Sequence, residues 1–400
     1  MLINRYHKLS LGNTNMQIER EELVERTERM REQMNAHGFD ALIIYSDEYR
    51  SGNGTYFTNY KPINLIEESP QMLCLIGDLP PTLFIGRLNS YAARQTVWIE
   101  DVRPIHKLNE LMPEVFASLL GRPARIGLIG DNLLPLSNYR VIQHHLNQAD
   151  FISCTDLLIQ LRQVKSSNEI DLMRKAARID DEVLAGLLKK IHVGQTETQV
   201  AAEAEYIGRK MGADLGSATV VMSGPNTNFP AWRPSERIIE PGDFVLVDFN
   251  PAVSNYCNDG GITVLMPGAS QEQTDALTFG HQVIKEVIPL IRPHTVASTI
   301  YDLMLERLEP AGYADNFVPY AKGQRGVGHG VGLDVVEQPD LTIDSDFDLL
   351  PGMTLAIKLD LHGLTGGGFR IECVVCVSET GIDPLNELIL AENDTFTILS

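Results

Sequence analysis

Basic residues are scarce in this 400-residue chain: 33 lysines and arginines stand against 53 aspartates and glutamates, a formal net charge of −20. Nucleic acid and anionic membrane surfaces need clustered positive charge, so neither is an expected partner. No run approaches the ~18 consecutive apolar residues of a bilayer-spanning helix. The opening residues, MLINRYHKLSLGNTN, lack a hydrophobic stretch followed by a small-residue cleavage site, so a cytoplasmic location is the expectation. Cysteine is sparse and odd in number, with Cys74, Cys154, Cys257, Cys373 and Cys376. That fits reduced thiols better than a disulfide framework. Cys373 and Cys376 form a CxxC inside FRIECVVCV, which reads as a strand. Residues three apart on a strand face opposite sides, which argues against a shared metal or redox role. Neither a 20–50-residue repeat nor a low-complexity tract occurs.

What is present reads as globular: 44% apolar and 22% charged residues, in a chain too long for one ordinary core. Two domains are expected, 1–163 and 164–400. The first opens with a charged helix from about Met16 to His37, closed by Gly38. FDALIIYS, QMLCLIG, PTLFIG and ARIGLIG read as strands. SDEYRSGNGTYFTNY reads as a glycine- and tyrosine-rich loop, and helices are expected near Asn138–Asn147 and Thr155–Gln163. The pattern is mixed α/β. In the second part, Ser166 with Glu169, Thr196 with Gln199 and Ser270 with Gln273 have capping-box spacing, each opening a helix. Strands are expected at ATVVMSG, DFVLVDF, ITVLM, MTLAIKLDL and FRIECVVCV. Helices segregated from antiparallel strands make this half α+β.

Four segments of that half carry candidate chemistry. VLVDFNPAVSNYCNDGG sets Asp248 at the end of an apolar strand and Asp259 eleven residues on; a short excursion between paired strands would turn both carboxylates into one cleft. GVGHGVGLDVVEQP carries His329 among alternating glycines. LPGMTLAIKLDL holds Lys358, and GGGFRIECVVCV holds Glu372, inside otherwise apolar strands, where an unpaired charge is costly. Singly, Asp248 could form a strand-end turn, His329 could be a turn histidine or part of a phosphate loop, and Lys358 could pair with Asp360. Jointly and in this order they form a set.

That order, with PGM before one strand and RIE in the next, resembles the creatinase/prolidase/aminopeptidase P family. The resemblance extends to the start of the second domain at Leu161–Ile170 and to a first domain of this size. It implies a pita-bread catalytic domain preceded by a smaller mixed α/β creatinase-like domain. Metal-dependent members use two Asp, a His and two Glu. Asp248, Asp259, His329 and Glu372 match four of these positions, and Lys358 stands at the fifth. Two histidines of the peptidases also fall on other residues here, Ala231 and Val336.

Replacing a carboxylate ligand by an ammonium turns attraction for a cation into repulsion of several kcal/mol within ~4 Å. The expectation is therefore a creatinase-like, metal-independent hydrolase of a small polar C–N compound (an amidine, guanidino compound or cyclic amide) without cofactor. His329 would transfer protons, Asp259 or Glu372 would act as base or nucleophile alongside Asp248, and Lys358 would position or polarise substrate. Arg370, on the strand face of Glu372, and Trp232 are candidate substrate contacts, with Arg370 as an anion clamp. The resemblance also implies a homodimer in which Arg50, Tyr56 and Tyr60 of one subunit help close the site of the other. Two alternatives stand beside this reading. One is a metal-dependent Xaa-Pro peptidase with a reduced site, holding one divalent ion such as Mn or Zn on Asp248, Asp259 and Glu372, or with His329 as well. The other is a non-catalytic pita-bread binding module.

Overall fold

Apolar runs bounded by glycine, proline and aspartate become the sheet strands. A computed structural model describes residues 18–63, 69–317 and 326–391, and the chain divides into two compact units, Met1–Arg162 and Gln163–Ser400.

The first unit is built on six strands: β1 (Ala41–Ser46), β2 (Gln71–Ile76), β3 (Thr82–Ile85), β4 (Asp101–Pro104), β5 (Ala124–Ile129) and β6 (Ala149–Ser153). They form one mixed sheet in the order β4-β3-β2-β1-β5-β6. A helix over Arg20–Ala36 buries Leu23, Met30 and Met34, and Gly38 takes the left-handed φ of 68° that ends it. Met16 and Gln17, also expected in that helix, lie outside the described residues. One expectation fails: the segment read as a loop contains a helix, Gly52–Thr58, with all but one of its residues buried. Two glycines in seven residues disfavour helix by propensity, but here they permit close packing. A Cβ on Gly54 would meet Ser46 Oγ at 2.7 Å and Gln71 Cβ at 2.9 Å. Burial of Tyr56 and Phe57, whose rings meet edge to face at 5.1 Å, outweighs the local preference.

The second unit continues with β7 (Asp214–Leu215), β8 (Val220–Ser223), β9 (Phe244–Phe249), β10 (Pro251–Val253), β11 (Tyr256–Cys257) and β12 (Gly260–Leu265). After helices Gln271–Val287, Thr299–Ala311 and Ala314–Phe317 come β13 (Gly328–Gly330), β14 (Glu337–Leu341), β15 (Thr354–Leu364), β16 (Gly367–Val377) and β17 (Ile382–Pro384). The main sheet runs β14-β13-β15-β16-β12-β9-β8, with β17 also on β16, while β11-β10-β7 form a small second sheet. Pairing within the main sheet is antiparallel throughout. All three capping boxes form, each with both reciprocal hydrogen bonds, opening helices Ser167–Leu188, Glu197–Lys210 and Gln271–Val287. These helices cover the sheet, and one contiguous core runs from Val183 and Val200 through Val247 and Ile262 to Ile357 and Ile371. Cys373 and Cys376 are free thiols on β16. No helix among the described residues is long and apolar enough to cross a membrane.

Candidate active site

Strand register assembles the charged residues. Gly261 on β12 pairs with Asp248 on β9 and with Glu372 on β16, so the two acids flank one glycine on neighbouring strands. Between β9 and β12 the chain makes the β10–β11 excursion and returns with Asp259 immediately before β12. On the other side of β16, Lys358 pairs with Glu372 and Asp360 with Arg370. His329 occupies a short strand rather than a loop. Its glycines are required by neighbouring backbone: a Cβ on Gly328 would sit 1.8 Å from the Ala356 carbonyl, and one on Gly330 2.5 Å from that of Gln338. The alternating glycines therefore let a central histidine strand press between β14 and β15.

Asp259, His329 and Glu372 converge. His329 Nε2 lies 3.3 Å from Asp259 Oδ2 and 3.7 Å from Glu372 Oε1, and all three residues are buried. His329 Nδ1 is 3.0 Å from the Gly330 carbonyl. A carbonyl only accepts, so Nδ1 carries a hydrogen, and in the neutral imidazole it is Nε2 that presents a lone pair toward the two carboxylates. Glu372 Oε1 is fully buried with no hydrogen-bond partner. Three acceptors facing one point, one of them an orphaned carboxylate oxygen, repel one another unless a cation or proton lies between them. Accordingly, burial pushes the Glu372 carboxyl up to about 7 against the pull of Lys358 and Arg370. Burial, then the charges of Glu372 and Asp248, hold Asp259 well above the usual carboxylate range. An imidazole and two carboxylates are an ordinary donor set for a divalent ion, so these residues fit one.

The other acids are already matched. Arg370 donates from Nη1 to Asp248 Oδ2 at 2.8 Å and from Nε to Asp360 Oδ1 at 2.7 Å, and its Nη2 reaches the Pro230 carbonyl at 2.6 Å. Burial would raise Asp360, but Arg370 and Lys358 outweigh it and hold that carboxyl low. Lys358 Nζ lies 4.0 Å from Glu372 Oε1, with a side chain 12% exposed. These groups floor a cavity of about 820 Å³, with apolar walls from Val220, Pro230, Ala231, Val335 and Val336.

Asp248, Asp259, His329, Lys358 and Glu372 thus meet in one cleft. Arg370 is there too, but as an internal clamp on Asp248, Asp360 and Pro230 rather than a free anion receptor. Trp232 is 57% exposed beside the cavity-lining Ala231. Tyr56 is buried in the core of the first unit under the Arg26 guanidinium, which removes it as a lid contact. Tyr60 donates to Asn89 Oδ1, and Arg50 is exposed and paired with Asp47. Two residues escaped the sequence reading. Asn250 donates to Asp248 Oδ1 and Asp259 Oδ1 at 2.9 and 2.7 Å, and its place two residues after Asp248, just past the end of β9, was a usable signal. Asp180, fully buried on the helix beneath, accepts from Asn258 and Asn386. Its position among the apolar residues Ala176, Ala177, Val183 and Leu184 was the only clue.

Residues 171–379 match metallopeptidase family M24, and residues 26–164 match the creatinase/prolidase N-terminal domain. A Xaa-Pro dipeptidase of Pyrococcus furiosus is 25% identical over 364 residues, 91% of this chain and 98% of its own length. An uncharacterized peptidase of Bacillus subtilis, YqhT, is 30% identical over 62% of this chain and 69% of its own. The prolidase structure from Pyrococcus horikoshii superposes with a TM-score of 0.79 at 23% identity, covering 91% of this chain and 98% of that one. These findings overturn two expectations. The two Pyrococcus relatives are Xaa-Pro dipeptidases rather than creatinase-like hydrolases of amidines, guanidino compounds or cyclic amides. The family is one of metallopeptidases, and three residues here converge as metal ligands do, so the cofactor-free site is also corrected. Lys358 takes the place of one ligand without dispersing the others: Asp259, His329 and Glu372 remain together. The chain belongs to metallopeptidase family M24, with a creatinase/prolidase N-terminal domain ahead of a pita-bread catalytic domain.

Proposed function

We propose that this protein is a metal-dependent peptidase of the Xaa-Pro dipeptidase type. The observation that carries the reading is the convergence of Asp259, His329 and Glu372 on one point, with a buried oxygen left over for an ion. Those three residues would hold a divalent metal, which in such a site polarises the scissile carbonyl and activates water. The Gly330 carbonyl fixes the His329 tautomer so that Nε2 is the donor atom. Asn250 aligns Asp248 and Asp259 through paired hydrogen bonds. Val220, Pro230, Ala231, Val335 and Val336 offer an apolar wall suited to a prolyl ring, and the cavity has the volume of a small-peptide site. Lys358 turns an ammonium toward the same cleft, where a short peptide's carboxylate is its natural partner.

The test is hydrolysis of a panel of Xaa-Pro and Xaa-Ala dipeptides by protein stripped with chelator and reloaded with Mn²⁺ or Co²⁺. Restored cleavage of the Xaa-Pro members supports the reading. Full activity in the stripped protein, or no cleavage with either ion, rejects it.

A further inference from the structure

Resting on the metal-dependent reading, we infer that this centre holds a single divalent ion, and that Lys358 and Arg370 supply in protein cations the charge a second ion would bring. Six carboxylates line the cleft; four of them, Asp248, Asp259, Asp360 and Glu372, are buried beside two permanent cations, Lys358 and Arg370, while Asp340 and Asp344 stand at its more exposed rim. Ionised, the inner group of six leaves two net negative charges. One divalent ion cancels these; two would leave the same buried volume net positive. Buried charge of either sign is retained only where it is compensated.

Geometry agrees with the charge. Asp248 and Asp360 are joined through one guanidinium, with Arg370 Nη1 2.8 Å from the first and Nε 2.7 Å from the second. A metal on Asp248 would have to displace or crowd that guanidinium, which is buried and also anchored on the Pro230 carbonyl. Asp259, His329 and Glu372 have the opposite character: their facing atoms Oδ2, Nε2 and Oε1 lie within 4.8 Å of one another, and Oε1 has no donor. Lys358 Nζ stands 4.0 Å from that same oxygen. At that distance an ammonium repels an ion bound there, so it sets the affinity of the one centre as well as opposing a second.

The measurement is metal content, independent of turnover. Purified protein is stripped with chelator and dialysed against Mn²⁺. Bound metal per chain is counted by inductively coupled plasma mass spectrometry, and the ion is examined by low-temperature electron paramagnetic resonance. The wild type should bind one ion per chain and give the six-line signal of an isolated Mn²⁺. Lys358→Glu, which makes that inner group four charges negative, should bind two with a spin-coupled signal. Lys358→Met, close in length and uncharged, should still bind one, about tenfold or more tighter, and serves if the glutamate variant does not fold. Two coupled ions in the wild type would overturn this inference and leave the metallopeptidase reading standing. No ion at all would remove both. One ion in the wild type with Lys358→Met unchanged in affinity would overturn the part assigned to Lys358.

Discussion

Replacing Arg370 by methionine tests whether the floor of the cleft is held by one guanidinium. The arginine is 6% exposed, donates to Asp248, Asp360 and the Pro230 carbonyl, and lies 3.8 Å from Glu372. Methionine keeps much of the aliphatic volume but leaves Asp248 and Asp360 buried without their counter-charge. Breaking a buried ion pair from one side costs roughly 3–5 kcal/mol. For a domain of this size each kcal/mol moves the midpoint by about 2–4 °C, so calorimetry should find the second unit melting roughly 6–20 °C lower. The effect depends on pH in a defined direction. Asp360 is held below its ordinary value in the wild type, so the stability it contributes is present above the unfolded pKa and is lost as pH falls through the folded one. The gap between variant and wild type should therefore be widest near neutrality and shrink below about pH 4. A midpoint within two degrees or so of wild type at pH 7 would refute the clamp, as would a gap that does not narrow in acid.

Three further outcomes follow from the same geometry. Glu372→Gln should abolish metal binding and turnover while the metal-free protein melts no lower than wild type, because the change removes a buried carboxyl whose Oε1 has no hydrogen-bond donor; a collapse of the fold would make Glu372 structural. For the metal-free wild type, the raised Glu372 carboxyl means the folded state binds the extra proton, so stability should fall as pH rises from about 4.5 to about 7. Mn²⁺ should stabilise increasingly over that range, and a pH-independent metal shift in calorimetry would contradict it. Ser166→Ala removes the cap of helix Ser167–Leu188 and should cost about 1 kcal/mol in urea unfolding with unchanged metal content; a loss of metal would show that the helix does more than support the sheet.

Much of this was legible in the sequence, for local reasons. The three capping boxes involve residues three apart, so their spacing alone located three helix starts. The charged residues in β9, β15 and β16 stood out because a strand buried on both faces is otherwise continuously apolar. What escaped notice depends on contacts far apart along the chain. The helix Gly52–Thr58 exists because Gly54 fits against Ser46 and Gln71, a packing that composition does not encode. Arg370 was read as a substrate clamp because its face of the strand was evident, whereas its ties to Asp248 and Pro230 span 122 and 140 residues. The same limit misled the reading of Lys358. One-dimensional register matched it to a ligand position and its charge was set above the four matching residues, whereas in the folded sheet Asp259, His329 and Glu372 converge beside it.

The most direct test of the account is an anomalous-scattering map from crystals soaked in Mn²⁺ and measured above the manganese absorption edge. The account predicts one peak per chain, bonded to Asp259, His329 Nε2 and Glu372 at about 2.0–2.3 Å, with Arg370 still on Asp248 and Asp360. No peak there, or manganese bound instead on Asp248 and Asp360 with Arg370 displaced, would contradict it.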